Sequence, residues 1–341
     1  MSYAVKGKPF TYKGVKWVDD CKTSAEVMKE AGLDFEVQKC ELVAKMPITV
    51  NSVIGGFVHG SDFYRECPNA FATYRTDTNT PLGIVKERYT PVQNIDAFNF
   101  FDNAIGKDKA VWQTAGCFGN GERVFVTAKL PNNITINGDP VENYLVFSTS
   151  HDGSSGVKIL LTPIRLICEN MLNAAIRKAS NYISFRHTKS VHGNLDIAGE
   201  ILGICDNQIT MMKDLFVKAA KTEMSEKDAR ETFANIILTE GELENVIATG
   251  HTVHQLINRN WEAIQDSKVS MKKVNALCEM NNYYYYGIGQ KEIIDTKWGV
   301  YNAITGYYSN CDNSEGTKRM DSLLYGDKSR KIELANKLLI A

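Results

Sequence analysis

The stretch YLVFSTSHDGSSGVKILLTPIRLICENMLNAA, residues 144–175, places a polar segment between two apolar runs. The runs YLVF and VKILL have the length and the β-branched and aromatic content of strands. Between them, Asp152-Gly153 followed by Ser154-Ser155-Gly156 is typical of a turn that joins two strands. The stretch therefore predicts a hairpin, which favours an antiparallel sheet.

The end of the same stretch predicts a helix. Thr162 is a natural N-cap, and Pro163 suits the first helical position. The apolar residues that follow recur at helical spacing along one face: Ile164, Cys168, Met171 and Ala175. In this interpretation Arg165 lies in the first turn of a helix.

The pattern around this stretch extends the sheet. Between about residues 48 and 190, short apolar runs and period-two alternation predict strands, and Asn120-Gly121 and Asn137-Gly138 predict hairpin turns. One further helix is predicted in TPVQNIDAFNFFDNAI, where Asn94 can cap the first turn. After residue 194 the strand signal ends and helical patterns follow. We predict an α+β fold, with a mainly antiparallel sheet and packed helices in residues 1–194 and a helical domain in residues 195–341.

Composition indicates an ordinary globular protein. The chain has 341 residues, of which 43% are hydrophobic and 23% charged, and its formal net charge is −1. It contains no run of 18 apolar residues, so we expect a cytoplasmic protein that does not enter a membrane. The eight cysteines form no C-x-x-C pair, which favours reduced, buried thiols and argues against a zinc site.

Charge is distributed unevenly along the chain. Residues 151–194 contain six basic and two acidic side chains, a balance of +4, whereas residues 196–245 are acidic. Such a basic segment can bind phosphates, although a solvated surface explains it equally well. The residues that could form a nucleic-acid track are Arg88, Tyr89, Lys158, Arg165, Arg177, Arg186, His187 and Lys189.

Two of these candidates have specific alternatives. Arg165 could receive a phosphate together with the free amides of its helical turn, or it could form an ordinary i,i+4 ion pair with Glu169. Arg88 and Tyr89 could contact a backbone and stack on a base, while the neighbouring Gln93 and Asn94 close the junction between strand and helix.

Ser150, His151 and Asp152 form the one cluster that suggests catalysis. Adjacent side chains on a strand point to opposite faces, and SHDGSSG does not match a nucleophile elbow, so a hydrolase triad is disfavoured. The turn could instead be purely structural, or it could present backbone amides to a phosphate. In the catalytic alternative, His151 would act as a base with Asp152 beside it.

Several stretches together resemble the phage- and plasmid-like proteins of a family of unknown function that is found on mobile elements. They are AGLDFEVQK, ERYTPVQNIDAFNFFD, GNGERVFVTAKLP, the opening stretch, FRHT and TKWGVYNAITGYYSN, and they span nearly the whole chain. The order of strands followed by helices is similar to the single-strand annealing proteins of phage recombination. The resemblance implies a fold-level analogy only.

These observations predict a homo-oligomer, a ring or a filament, that binds single-stranded DNA or RNA and anneals strands. Walker, dinucleotide-binding and kinase glycine patterns do not occur, so we expect ATP-independent activity that needs no cofactor or metal. The alternatives are an enzyme that acts on nucleic acid or a phosphorylated substrate, and an interaction protein that counters host defence.

Overall fold

The computed structural model describes residues 15–47, 56–59, 62–105, 110–165, 170–171, 182–187, 199–311, 322–323 and 326–340. Its strands are β1 Lys16–Trp17, β2 Val37–Met46, β3 Phe57–His59, β4 Asp62–Arg75, β5 Pro81–Lys86, β6 Val111–Phe118, β7 Arg123–Lys129, β8 Ile134–Ile136, β9 Asp139–Ser150, β10 Val157–Arg165, β11 Asn170–Met171 and β12 Tyr182–Phe185. Every pair among these strands is antiparallel.

The strands form two sheets. The larger sheet has the order β1-β6-β7-β9-β10-β11, with β12 also on β10 and β8 also on β9. The smaller sheet has the order β2-β4-β3, and β5 pairs with β4 beside β3. The central strands β7 and β9 are buried along almost their whole length, which explains their near-continuous apolar sequence.

The helices lie mostly in the C-terminal half. They are α1 Ser24–Ala31, α2 Asn94–Ile105, α3 Gly199–Lys221, α4 Glu226–Ile237, α5 Glu240–Ala248, α6 Val253–Ile257, α7 Trp261–Ser267, α8 Met271–Tyr286, α9 Lys297–Gly306 and α10 Asp327–Leu339, with a π-helical turn at Tyr307–Cys311. Thr23, Thr239 and Thr252 begin α1, α5 and α6 with complete capping boxes. Antiparallel sheets in the N-terminal half and helices in the C-terminal half confirm the α+β prediction.

One hydrophobic core cluster includes residues from both halves of the chain. Phe98 of α2 meets Phe147 of β9 edge to face at 5.7 Å, which packs this helix onto the larger sheet. In the helical half, Phe216 contacts Trp298 with ring centroids 4.9 Å apart. Of the four consecutive tyrosines, Tyr283 and Tyr284 are fully buried.

The predicted helix start at Thr162 is wrong. Thr162, Pro163 and Arg165 belong to β10 and pair with Tyr144, Asn143 and Val141 of β9. On the other side of β10, β12 covers residues 157–160 and β11 covers residues 164–165, so no described strand pairs with Pro163 on that side. A proline lacks the N–H that a ladder needs, and this gap accommodates it.

Two further expectations from the sequence concern the burial of the cysteines and the membrane. The described cysteines are all free thiols, but only Cys278 is buried, and Cys40 is exposed, so the expectation of buried thiols holds for part of the set. Among the residues that the structure describes, none of the helices is long and apolar enough to cross a membrane.

Candidate anion-binding site

Strands β7, β9 and β10 bring hydroxyl and basic side chains to one face of the larger sheet. Ser148 is directly opposite Lys158 in the β9–β10 ladder, and Ser150 is directly opposite Arg123 in the β7–β9 ladder. Directly opposed residues of an antiparallel pair project from the same face, and so do residues two apart on a strand. The four side chains therefore share a face at the end of the sheet where the Ser-His-Asp-Gly turn lies.

A cleft of about 200 Å³ opens on this face. Its lining is mostly polar and comprises Phe118, Arg123, Val124, Ser148, Thr149, Ser150, Ser154, Ser155, Lys158 and Gly326. Two cations and several hydroxyl donors make the cleft chemically suited to an anion, because such groups can offer both charge and directed hydrogen bonds.

The hydroxyl of Ser148 is the group best placed for a ligand. Ser148 is buried and lines the cleft, and none of the described residues hydrogen-bonds its side chain. A hydroxyl that is open to the cleft can donate to a ligand oxygen there. Ser148 therefore points to an occupant with hydrogen-bonding oxygens.

Arg123 forms the wall of the cleft next to the turn. Its Nε donates to Ser154 Oγ at 3.1 Å and lies 3.6 Å from the carboxylate of Asp152. Both contacts use Nε, and the second is long for a hydrogen bond. The arginine is thus oriented by the turn while remaining at the cleft surface.

The N-terminus of α10 reaches the same cleft from the helical half. Gly326, the N-cap residue of α10, lines the cleft and has no side chain with which to cap the helix. The first amides of a helix and its dipole favour negative charge. The N-terminus of α10 therefore adds to the preference for an anion that Arg123 and Lys158 give to the cleft.

The Ser-His-Asp-Gly turn is held by its own hydrogen bonds. Ser150 Oγ accepts from the amide of Ser155 at 2.9 Å and donates to its carbonyl at 2.7 Å. Asp152 Oδ1 accepts from the amide of Ser154 at 2.8 Å, and Gly153 has the left-handed φ of +75° that closes the turn. The amides of Ser154 and Ser155 are thus already paired within the turn and are not available to a phosphate.

The smaller sheet and the β6–β7 hairpin hold the Ser-His-Asp-Gly turn in place through contacts to its backbone. Thr73 Oγ1 donates to the carbonyl of His151 at 2.5 Å, and the amide of His151 donates to the carbonyl of Glu122 at 2.6 Å. A Cβ added to Gly83 of β5 would lie 2.4 Å from the Cα of Asp152, so the two backbones are in close contact. The turn thus joins the two sheets and fixes Ser154 and Ser155 at the cleft.

His151 lies inside the protein. It is fully buried, its Nε2 is 3.0 Å from Asn94 Oδ1, and its ring meets Phe35 edge to face. Burial lowers the pKa of His151 from 6.5 to about 3, and the neighbouring His187 contributes to the shift. Since the hydroxyl of Ser150 is bonded to Ser155 and Asp152 faces Arg123, the structure does not arrange Ser150, His151 and Asp152 as a triad.

Tyr89 and His187 lie on the opposite face of the sheet. His187 Nε2 is 3.4 Å from Thr149 Oγ1, and Thr149 alternates with Ser148 and Ser150 along β9. The rings of Tyr89 and His187 stack at 4.7 Å, and the Tyr89 hydroxyl donates to the carbonyl of Ser150 at 2.8 Å. Burial raises the pKa of Tyr89 and lowers that of His187 to about 4. Tyr89 therefore stacks on a protein ring rather than presenting a bare face to a base.

The remaining predicted residues are spread over several places. Arg88 and Arg186 are exposed beside Tyr89 and His187 in the sequence. Arg165 is at the far end of β10, seven residues from Lys158 and thus roughly 23 Å away along the strand. Arg165 therefore lies on a strand rather than in the first turn of a helix, and it is remote from the Ser-His-Asp-Gly turn. Arg177 and Lys189 lie outside the described residues.

Arg123 and Gly326 line the cleft but were not predicted from the sequence. Arg123 follows the predicted turn at Asn120-Gly121, and pairing this hairpin with the next one would have placed it opposite Ser150. Gly326 carries no signal in the sequence, because only the packing of α10 brings it to the sheet.

The chain matches a protein family over residues 81–333, described as a domain of unknown function, DUF932. This chain belongs to the DUF932 family. The DUF932 region begins at β5 and contains every residue that lines the cleft, whereas most of the smaller sheet precedes it. Comparisons with curated proteins and with solved structures found no match.

Proposed function

We propose that this DUF932 protein binds single-stranded nucleic acid by holding backbone phosphates in the cleft between β7, β9, β10 and α10. One observation carries the proposal: Arg123 and Lys158 flank the hydroxyl of Ser148, which no described residue hydrogen-bonds, in a single polar cleft. Phosphate oxygens would accept from all three groups. Contacts of this kind do not depend on base identity.

Strand annealing is the activity that we propose to follow from such binding. Phosphates held against the sheet would leave bases exposed to a complementary strand, and no nucleotide hydrolysis would be required. In this proposal the protein acts as a homo-oligomer and serves a phage or a plasmid. The precedent is the fold-level analogy with the single-strand annealing proteins of phage recombination. Exposed Arg88 and Arg186 would extend the contact beyond the cleft.

The test is anisotropy of a labelled single-stranded oligonucleotide, measured for the parent and for Arg123→Ala and Lys158→Ala over a range of salt concentrations. We expect affinity to fall steeply with salt, and each substitution to reduce the salt dependence by about 0.7 in the log–log slope. Lys227→Ala is the matched control, because it removes the same charge from an exposed position on α4. Binding that is absent at low salt, or equally weakened by all three substitutions, would refute the cleft as the site.

A phosphorylated small molecule is the other ligand that the same chemistry could take. Competition separates the two: an excess of a mononucleotide should displace the oligonucleotide poorly if several phosphates are bound along a strand. Displacement at matched concentrations of phosphate would assign the cleft to the small molecule.

A further inference from the structure

The smaller sheet carries an arm that is exposed on both faces. We define the arm as residues 43–46 of β2, residues 57–59 of β3 and residues 62–66 of β4, which pair with one another. Phe63 is the one buried residue among them, while Phe57 and Val58 are 51% and 66% exposed. A small sheet with both faces in solvent buries little apolar surface of its own.

The two outer edges of the arm differ. The β2 edge carries Lys39 and Lys45 and a register shift between Glu41 and Val43, which are the devices that keep edge strands from pairing. The β3 edge presents Phe57, Val58 and His59, and in the described part of the chain β3 pairs with β4 alone. Its outward backbone groups and apolar side chains suit another strand.

Charge decides which partner fits. The arm contains two basic side chains, Lys45 and Arg65, and two acidic ones, Asp62 and Glu66, so its net charge is zero. Lys45 is already paired with Asp62 at 2.8 Å. A polyanion or an anionic bilayer would gain no net electrostatic attraction from the neutral arm, whereas the neutral arms of two copies do not repel each other.

We propose that β3 pairs antiparallel with β3 of a second copy of this chain, making one sheet that continues across a two-fold axis. An identical strand pairs with itself in this way without further design, because antiparallel pairing is symmetric under a two-fold rotation. With Val58 opposite Val58 of the second copy, Phe57 faces His59 and the exposed apolar edge is covered. The arm precedes the DUF932 match. The dimer would supply the homo-oligomer of the proposed function, but it does not require nucleic-acid binding.

Light scattering during size-exclusion chromatography of the full chain tests the oligomeric state. We expect twice the chain mass for the parent, and at least a tenfold higher dissociation constant for Val58→Lys. Ile84→Lys is the matched control, since Ile84 is an exposed residue of β5 in the same sheet and should leave the mass unchanged. Thermal melting checks that each variant is folded.

Cross-linking tests the geometry. Two cysteines directly opposite in an antiparallel pair have Cβ atoms about 4.5–5.5 Å apart, close enough for an interchain disulfide after small adjustment. Val58→Cys should therefore form a covalent dimer under mild oxidation, whereas Ile84→Cys and the parent, with its own thiols, should not. A monomeric parent, a dimer that Val58→Lys leaves intact, or a dimer that Val58→Cys does not trap would overturn the proposal. None of these results depends on the oligonucleotide assay, so the two proposals can fail separately.

Discussion

Arg123 and Ser150 are Cα partners in the β7–β9 ladder, and Ser150 is bonded to the backbone of Ser155 on the next turn. The same pairing that completes the sheet therefore sets an arginine beside the turn and aims it into the cleft. Because Arg123 also contacts Ser154, its position depends on the turn being intact.

Arg123→Lys should recover only part of the oligonucleotide affinity lost in Arg123→Ala. A lysine restores the charge but not the planar fork that can hold Ser154 and a phosphate together. Competition anisotropy at one salt concentration measures the difference. Equal affinity for the lysine variant and the parent would show that charge alone matters at this position.

Arg165→Ala should leave oligonucleotide affinity within about twofold of the parent. Its Cα pairs with Val141 at the end of β10 remote from Lys158, so it cannot contact an anion held in the cleft. The same anisotropy titration measures this, with Lys158→Ala alongside as the variant expected to bind weakly. A loss for Arg165→Ala as large as that for Lys158→Ala would place the site elsewhere on the sheet.

Stability should fall as the solution is acidified below pH 6.5. Burial holds the pKa of His151 at about 3 and that of His187 at about 4, below their ordinary 6.5, so the unfolded chain takes up protons that the folded chain does not. Their contribution is complete above pH 6.5 and is lost as pH falls toward those values, by an amount on the order of a few kcal/mol for each. Urea unfolding at several pH values measures the slope.

The pH dependence of the free energy of unfolding should come from the buried residues His151 and His187. His187→Gln should reduce the pH dependence of the free energy of unfolding between pH 6.5 and 4.5, whereas His254→Gln, at an exposed histidine of α6, should leave it unchanged. Identical slopes for the His187 variant and the parent would mean that other groups govern acid stability.

Gly83→Ala should destabilise the protein by more than about 1 kcal/mol. The added Cβ would lie 2.4 Å from the backbone of Asp152, so β5 and the turn would have to separate. Gly241→Ala in α5 is the control, because nothing lies within 4 Å of its added Cβ, and alanine favours a helix. Thermal melting should show a lower midpoint for the first and an equal or higher one for the second.

Gly83→Ala also tests the link between the turn and the cleft. Oligonucleotide affinity should fall at temperatures where the variant is still folded, because Ser154 and Ser155 lie on the displaced turn. Unchanged affinity in a folded but destabilised variant would separate the turn from the site.

The sequence by itself determined the class of fold and the hairpin at its centre. Apolar runs on either side of the Asp152-Gly153 turn signal predict a hairpin between two consecutive strands, and the capping signals at Thr239 and Thr252 are local, so both features were predictable. The helix predicted from Thr162-Pro163 was wrong because the local signal for a helix start was outweighed by pairing with β9.

The candidate site was decided by tertiary structure. Whether His151 is a base or a core residue depends on Asn94 and Phe35, which are distant in the sequence and cover it in the fold. Gly326 reaches the cleft only because α10 packs back toward the sheet. Hydrophobic periodicity indicates which face of an element is buried, but not which other element covers that face. The cleft depends on how the elements pack together, because only that packing brings Arg123, Ser148, Lys158 and Gly326 to one place.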